Sequence, residues 1–225
     1  MVNIDTVYQK VLALANKEQR GYITPQEFNL FADHAQAEIF EHYFYELEQR
    51  MRAHGNSEEY SDTIDNLQEK ISIFERTSAN NNTPVNIPDS VYRLGSVFYG
   101  DIEVQQIQRN ELGYINNSPL LKPRLVRGSC YYIRQGNQIR VYPSGIEQVT
   151  YTYVERPSKP QWAYTVINGN AMYLPTNSRD FTLHASEETE LVYKILRLAG
   201  VAIQKQDIVQ TATGMDQLNI QQEKQ

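Results

Sequence analysis

The stretch Phe181-Thr-Leu-His-Ala-Ser-Glu-Glu-Thr-Glu-Leu-Val-Tyr-Lys-Ile-Leu-Arg-Leu-Ala-Gly-Val-Ala-Ile203 runs into a polar tail at residues 204–225. Ser186 reads as a helix N-cap, and Glu187, Glu188 and Glu190 follow in a first turn, where the helix dipole favours negative charge. Leu191, Val192, Ile195, Leu196, Leu198 and Ala199 then form an apolar stripe, and Gly200 offers a stop or a kink. Seven residues of the tail are glutamine, and its only bulky apolar side chains are Ile208, Val209, Met215, Leu218 and Ile220. Such a segment buries little by itself, so it is expected to be disordered or to fold against a partner. The stretch therefore divides. The part up to Ala199 belongs to the subunit's own core, and the part after Gly200 is a candidate for touching another chain.

Working outward, the first 77 residues read as helical. Ile4, Val7, Tyr8, Val11, Leu12 and Ala15 keep 3-and-4 spacing, predicting an amphipathic helix that stops near Gly21. Thr24-Pro-Gln-Glu27 is a capping box with proline at the first helical position. Phe28, Phe31, Ala35, Ile39, Tyr43, Leu47 and Met51 line one face of the helix it opens. Tyr60, Ile64, Leu67, Ile71 and Phe74 repeat at 4-3-4-3 spacing, as the antiparallel partner in an αα-hairpin requires.

Residues 77–84 are small and polar, with prolines at 84 and 88, and read as a linker or turn. The character then turns to β. Residues 131–134 and 138–142 flank Gln135-Gly-Asn137 as a hairpin, Val149-Thr-Tyr-Thr-Tyr-Val154 alternates, and residues 163–167 and 171–174 flank Asn168-Gly-Asn170 as a second hairpin. Residues 91–99 suit a further strand. Many of the 16 tyrosines fall here, and tyrosine buries its ring while keeping its hydroxyl wet. Tyr131, Tyr142, Tyr151, Tyr153, Trp162 and Tyr164 are therefore candidates for a subunit contact. Packing within the sheet is the alternative. The expected fold is α+β: a helical region over residues 1–80, an antiparallel β-rich region over 81–182, a C-terminal helix over 183–203 packing on the bundle, and a tail over 204–225.

Composition narrows the function classes. No run of 18 apolar residues exists and the N-terminus lacks a signal peptide's basic start, so a soluble chain made in the cytoplasm, without a membrane partner, is expected. A net charge of -6 argues against gripping phosphates, although a weakly repelling surface would let DNA slide past. The single cysteine, Cys130, sits in a strand-like run and reads as buried rather than nucleophilic. Residues 16–27 imitate a calcium loop, but Asn16 and Glu18 replace the usual aspartates and Arg20 would put a cation in the cage. His34, Glu38 and His42 share a helix face without a second cluster to complete a metal site. His184 reads as a turn-fixing residue with no identifiable nucleophile beside it. The glycines show no phosphate-binding spacing. No catalytic residue, cofactor or metal is expected.

The run from Phe181 to Val201, the closing Asn219-Ile-Gln-Gln-Glu-Lys-Gln225 and the opening Gly21-Tyr-Ile-Thr-Pro-Gln-Glu-Phe-Asn29 resemble a virion structural protein of crAss-like and related short-tailed bacteriophages. The Leu-His-Ala-Ser-Glu-Glu188 run is the most specific part. Such proteins are similar to the head-to-tail adaptors, ring proteins that stack beneath the portal and line the genome's route. The resemblance implies a twelve-fold ring whose partners are its own copies, the portal protein and neighbouring neck or tail rings, with viral DNA passing non-specifically through the lumen. It implies a place at the virion's head–tail junction, after assembly in the host cytoplasm. A non-ring accessory or tail-fibre attachment protein is the alternative, and a small metal-binding module or enzyme a more remote one.

Overall fold

The computed structural model describes residues 1–17, 23–52, 58–80, 84–125, 128–146 and 148–202. Residues 18–22 of the loop at 16–27, Gly21 among them, the turn at 54–57 and the whole tail, with Ile208, Val209, Met215, Leu218 and Ile220, lie outside them. The chain is α+β and divides into two compact units, Met1–Ile73 with Pro157–Gln225, and Phe74–Arg156.

The first unit holds α1 (Ile4–Lys17), α2 (Pro25–Arg52), α3 (Glu58–Ser72), a hairpin whose strands are Tyr164–Ile167 and Asn170–Tyr173, and the C-terminal helix Glu188–Ala202. The capping box forms as its residues dictate. Thr24 Oγ1 accepts from the Glu27 amide, and the Glu27 carboxylate accepts from the Thr24 amide and hydroxyl, which holds it below the usual carboxylate range. Ile4, Val7, Tyr8, Val11 and Ala15 of α1 are buried, as are Phe28, Ala35, Ile39 and Tyr43 of α2. Phe31 and Leu47 are only half-buried and Met51 is 63% exposed, because the buried face of α2 turns through Ala32, Gln36 and Phe40. The C-terminal helix packs on α1 and α2 through Leu191, Val192, Ile195, Leu196 and Ala199. Gly200 does not stop it, for the helix continues through that buried glycine to Ala202.

Residues 157–183 lie against these helices because α2 offers polar groups to their backbone. Buried Gln36 donates to the Ser158 carbonyl and accepts from the Thr182 amide. Asn29 pairs with both the amide and the carbonyl of Trp162. The second hairpin, read from sequence as part of the β-rich region, thus belongs with the helices. Asn168 and Gly169 both have positive φ, 52° and 81°, the requirement of a type I′ turn.

The second unit is a seven-stranded sheet. Its strands are β1 (Glu75–Asn80), β2 (Val85–Asn86), β3 (Val91–Tyr99), β4 (Ile102–Gln106), β5 (Tyr131–Gln135), β6 (Gln138–Tyr142) and β7 (Val149–Glu155), in the order β1-β7-β3-β4-β5-β6-β2. Two expectations are corrected here. The supposed linker at 77–80 is edge strand β1, paired residue for residue with β7 from Glu75↔Val154 to Asn80↔Val149. Small polar side chains are tolerated there because an edge strand contributes mainly backbone hydrogen bonds. The sheet is also mixed rather than antiparallel throughout, since β4 and β5 run parallel. Residues 107–130, containing the short helix α4 (Glu111–Asn117), supply the long crossover that a parallel pair needs. Alternation along β5 sends Tyr132 into the main core with Val97, Val104, Ile139, Val149 and Tyr151. It sends Tyr131 and Ile133 to the other side, under Leu112 and Ile115 of α4.

Candidate functional site

Three of the six aromatic interface candidates are spent inside the chain. Tyr131 is covered by α4, and Tyr151 lies on a strand with neighbours on both sides, leaving it 1% exposed. Trp162 is 2% exposed, its ring 4.3 Å from that of Tyr8, with Tyr164 and Tyr173 stacked at 5.9 and 5.5 Å. Its indole N–H donates to Asp5 at 2.9 Å. It anchors the core of its own unit rather than a subunit contact. Tyr142, Tyr153 and Tyr164 are half-buried. The apolar side chains that do face solvent on the second hairpin are Val166, Ile167 and Met172, each at least 50% exposed.

The densest polar constellation joins α2, α3 and the C-terminal helix. One Arg197 guanidinium nitrogen donates to both oxygens of Glu38, at 2.6 and 2.8 Å. The buried Lys194 ammonium lies 3.2 Å from Glu38 and 3.3 Å from Glu190. Lys70 of α3 meets Glu187, which is 2% exposed, at 2.7 Å and also sits over the Tyr43 ring. His42 pairs with Glu46 at 3.3 Å.

Burial raises the proton affinity of Glu38, Glu187 and Glu190, and neighbours decide the outcome. Burial works against ionised Glu38, but Arg197 and Lys194 outweigh it and hold the carboxyl low. Lys70 does the same for Glu187. Glu190 is pushed up to about 7, by burial first and then by its hydrogen bond to Glu187 and that residue's charge. Below about pH 7 Glu190 is thus the protonated partner in that hydrogen bond, and Glu187, held low by Lys70, the acceptor. The hydrogen bond to Glu46 raises His42.

From sequence Glu187, Glu188 and Glu190 read as charges serving the helix dipole; in the structure each also meets a lysine, Lys70, Lys10 and Lys194 in turn. Ser186 is not the N-cap. His184 caps a 3₁₀ turn, Ala185–Glu187, through Nδ1, which accepts from the Ser186 amide, and the α-helix starts at Glu188. One signal was present: Lys194 interrupts the apolar stripe, and a cation there needs buried partners.

A cleft of about 400 Å³ adjoins the cluster, lined by Glu46, Arg50, Thr63, Asn66, Lys70 and His184 among others. Within it His184 Nδ1 lies 2.8 Å from Ser186 Oγ, which bonds Glu187 in turn. The pairing resembles a catalytic dyad only in composition. The carboxylate touches the serine rather than the far ring nitrogen, and the same Nδ1 is occupied by the turn it caps. Of His34, Glu38 and His42 on α2, Glu38 is committed to Arg197 and Lys194, and His42 to Glu46. Among the described residues no group of His, Cys, Asp and Glu is arranged to hold a metal ion, and no helix is long and apolar enough to cross a membrane. Cys130 is buried at the start of β5, and burial pushes its thiol up, away from the reactive thiolate. No protein-family model matches the sequence, and no curated protein matches it.

Proposed function

We propose that this chain is a virion structural protein of a short-tailed phage, one that forms a ring at the head–tail junction and links the portal to the tail around the DNA passage. The observation that carries this reading is the resemblance of the run from Phe181 to Val201, with the opening and closing segments, to such proteins. The structure supports it by what its polar cluster is used for. Glu38, Lys194, Arg197, Glu187 and Lys70 pair with one another across three helices, an arrangement suited to holding a subunit in shape. In this reading the chain acts in twelve-fold rings without catalytic residue or cofactor. Its helices behave as a bundle, and the hairpins and polar tail supply contacts to neighbouring rings.

Negative-stain microscopy of the protein mixed with the portal of the same phage tests it. Annular particles attached to portal are expected. Labelling that finds the protein on fibres or the capsid surface, and never at the neck, overturns the ring in favour of an accessory protein. Truncation after Ala202 leaves the described C-terminal helix whole and isolates the tail. Unchanged portal attachment would remove the tail's part in the assembly.

A further inference from the structure

The two units carry opposite charge. Residues 74–156 hold nine Lys or Arg against seven Asp or Glu, whereas the remainder holds twelve against twenty. The asymmetry is concentrated, because residues 112–146 contain five cations and no acid at all. The same stretch keeps its large apolar side chains in water. Tyr114 is 81% exposed, Leu120 75%, Leu121 48% and Leu125 37%. They are held there by local structure. Leu112 and Ile115 pin α4 to the sheet and turn Tyr114 outward, while Ser118 caps the following turn by accepting from the amides of Leu121 and Lys122. Lys122 and Arg124 stand exposed between the leucines. A run of exposed apolar side chains, with tyrosine and arginine among them and no acid over residues 112–146, marks an interaction site rather than a solvated loop.

The rest of the chain offers a counterpart. On α3, Leu67 and Ile71 are buried, and Asp62, Asp65 and Glu69 lie on the opposite face, all exposed and spaced as a stripe by the helical period. We propose that Tyr114, Leu120, Leu121 and Leu125, with Lys122 and Arg124, dock on the acidic outer face of α3 of a second copy. This rests on the ring reading, for which it supplies the copy-to-copy contact. The two surfaces differ, so the contact is heterologous and repeats head to tail, the kind from which closed rings are made. A phosphate backbone would be drawn to the same cations, but leucines fixed in water gain nothing from one. Burying them is the main driving force, and the opposed charges set orientation and partner.

Sedimentation velocity of the full chain across concentration and salt is the test. Association that weakens with salt is expected. K122E/R124E weakens it at least tenfold, and L120S/L121S weakens it at low and high salt alike. Adding D62K/D65K/E69K to K122E/R124E restores association, a result that misfolded protein cannot produce. A wild-type chain that stays monomeric at every concentration, or association indifferent to K122E/R124E, overturns the contact. So does a charge reversal that abolishes duplex DNA binding and leaves self-association intact. Annular particles formed equally by wild type and K122E/R124E keep the ring and sink this contact. Salt-sensitive association restored by the double reversal, without annular particles at portal, keeps the contact and removes the ring.

Discussion

Glu190 keeps its proton to about pH 7, whereas in the unfolded chain it would lose it near its ordinary value of 4.5. The folded state therefore binds the proton more tightly, so the stabilisation is full below pH 4.5 and is lost as the pH rises through 7. Glu190→Gln replaces the proton-bearing acid with an amide that can still donate to Glu187 and cannot ionise. Urea midpoints of the variant and wild type are expected to agree near pH 4.5. At pH 8 the variant should be the more stable by on the order of 2 kcal/mol. A variant whose stability declines with pH as steeply as the wild type's would remove Glu190 from this role. His42 is raised first by its hydrogen bond to Glu46 and in smaller part by the charge of Glu190, so the difference between variant and wild type carries a minor His42 component beside the main one from the glutamate. Of this cluster the sequence shows the residues at helical spacing. It does not show that Lys70 from α3 and Glu38 from α2 reach them, because burial and pairing are properties of three helices meeting.

Between Leu94 and Val97, strand β3 carries a bulge against β7, and Thr152 repairs it. The Thr152 hydroxyl accepts from the Ser96 amide at 3.0 Å and donates to the Ser96 carbonyl at 3.3 Å, replacing ladder bonds that the bulge removes. A Cβ on Gly95 would stand 2.5 Å from that hydroxyl and 3.2 Å from the Thr152 carbonyl oxygen. Gly95→Ala is expected to cost roughly 1–3 kcal/mol, read from urea unfolding by circular dichroism. In the Thr152→Ala background the added cost should be smaller, since the 2.5 Å hydroxyl contact is gone and only the 3.2 Å approach to the carbonyl oxygen is left. Additive effects of the two substitutions would contradict this account. The β5–β6 hairpin and the hairpin at 164–173 were legible in sequence, because Gly136 and Asn168-Gly169 satisfy local backbone requirements that no distant contact changes. The bulge and strand β1 were not, since each is defined by its partner on β7.

Phe74–Arg156 enters and leaves side by side, with the Glu155 amide donating to the Phe74 carbonyl at 2.9 Å. A unit with its own core and adjacent ends has the anatomy of an inserted domain. Residues 74–156 expressed alone are expected to give a dispersed amide spectrum. A chain in which a short Gly-Ser linker replaces them should keep the buried emission of Trp162, the single tryptophan, which belongs to the other unit. Emission shifted to that of a solvated indole would show that the helices cannot fold without the insert. The sequence by itself determined the four longer helices, the capping box of α2 and two of the hairpins, but not α4 or the β3–β4 hairpin, because periodicity, caps and turns act over a few residues. Tertiary structure decided that residues 157–183 belong with the helices through Asn29 and Gln36, and that Trp162 and Tyr151 are buried. It also decided that the acids of the 181–203 stretch pair with lysines, and that Tyr114 and Leu120 face water. Each of these depends on which distant backbone or charge satisfies a polar group or covers an apolar one, and linear spacing carries no record of that.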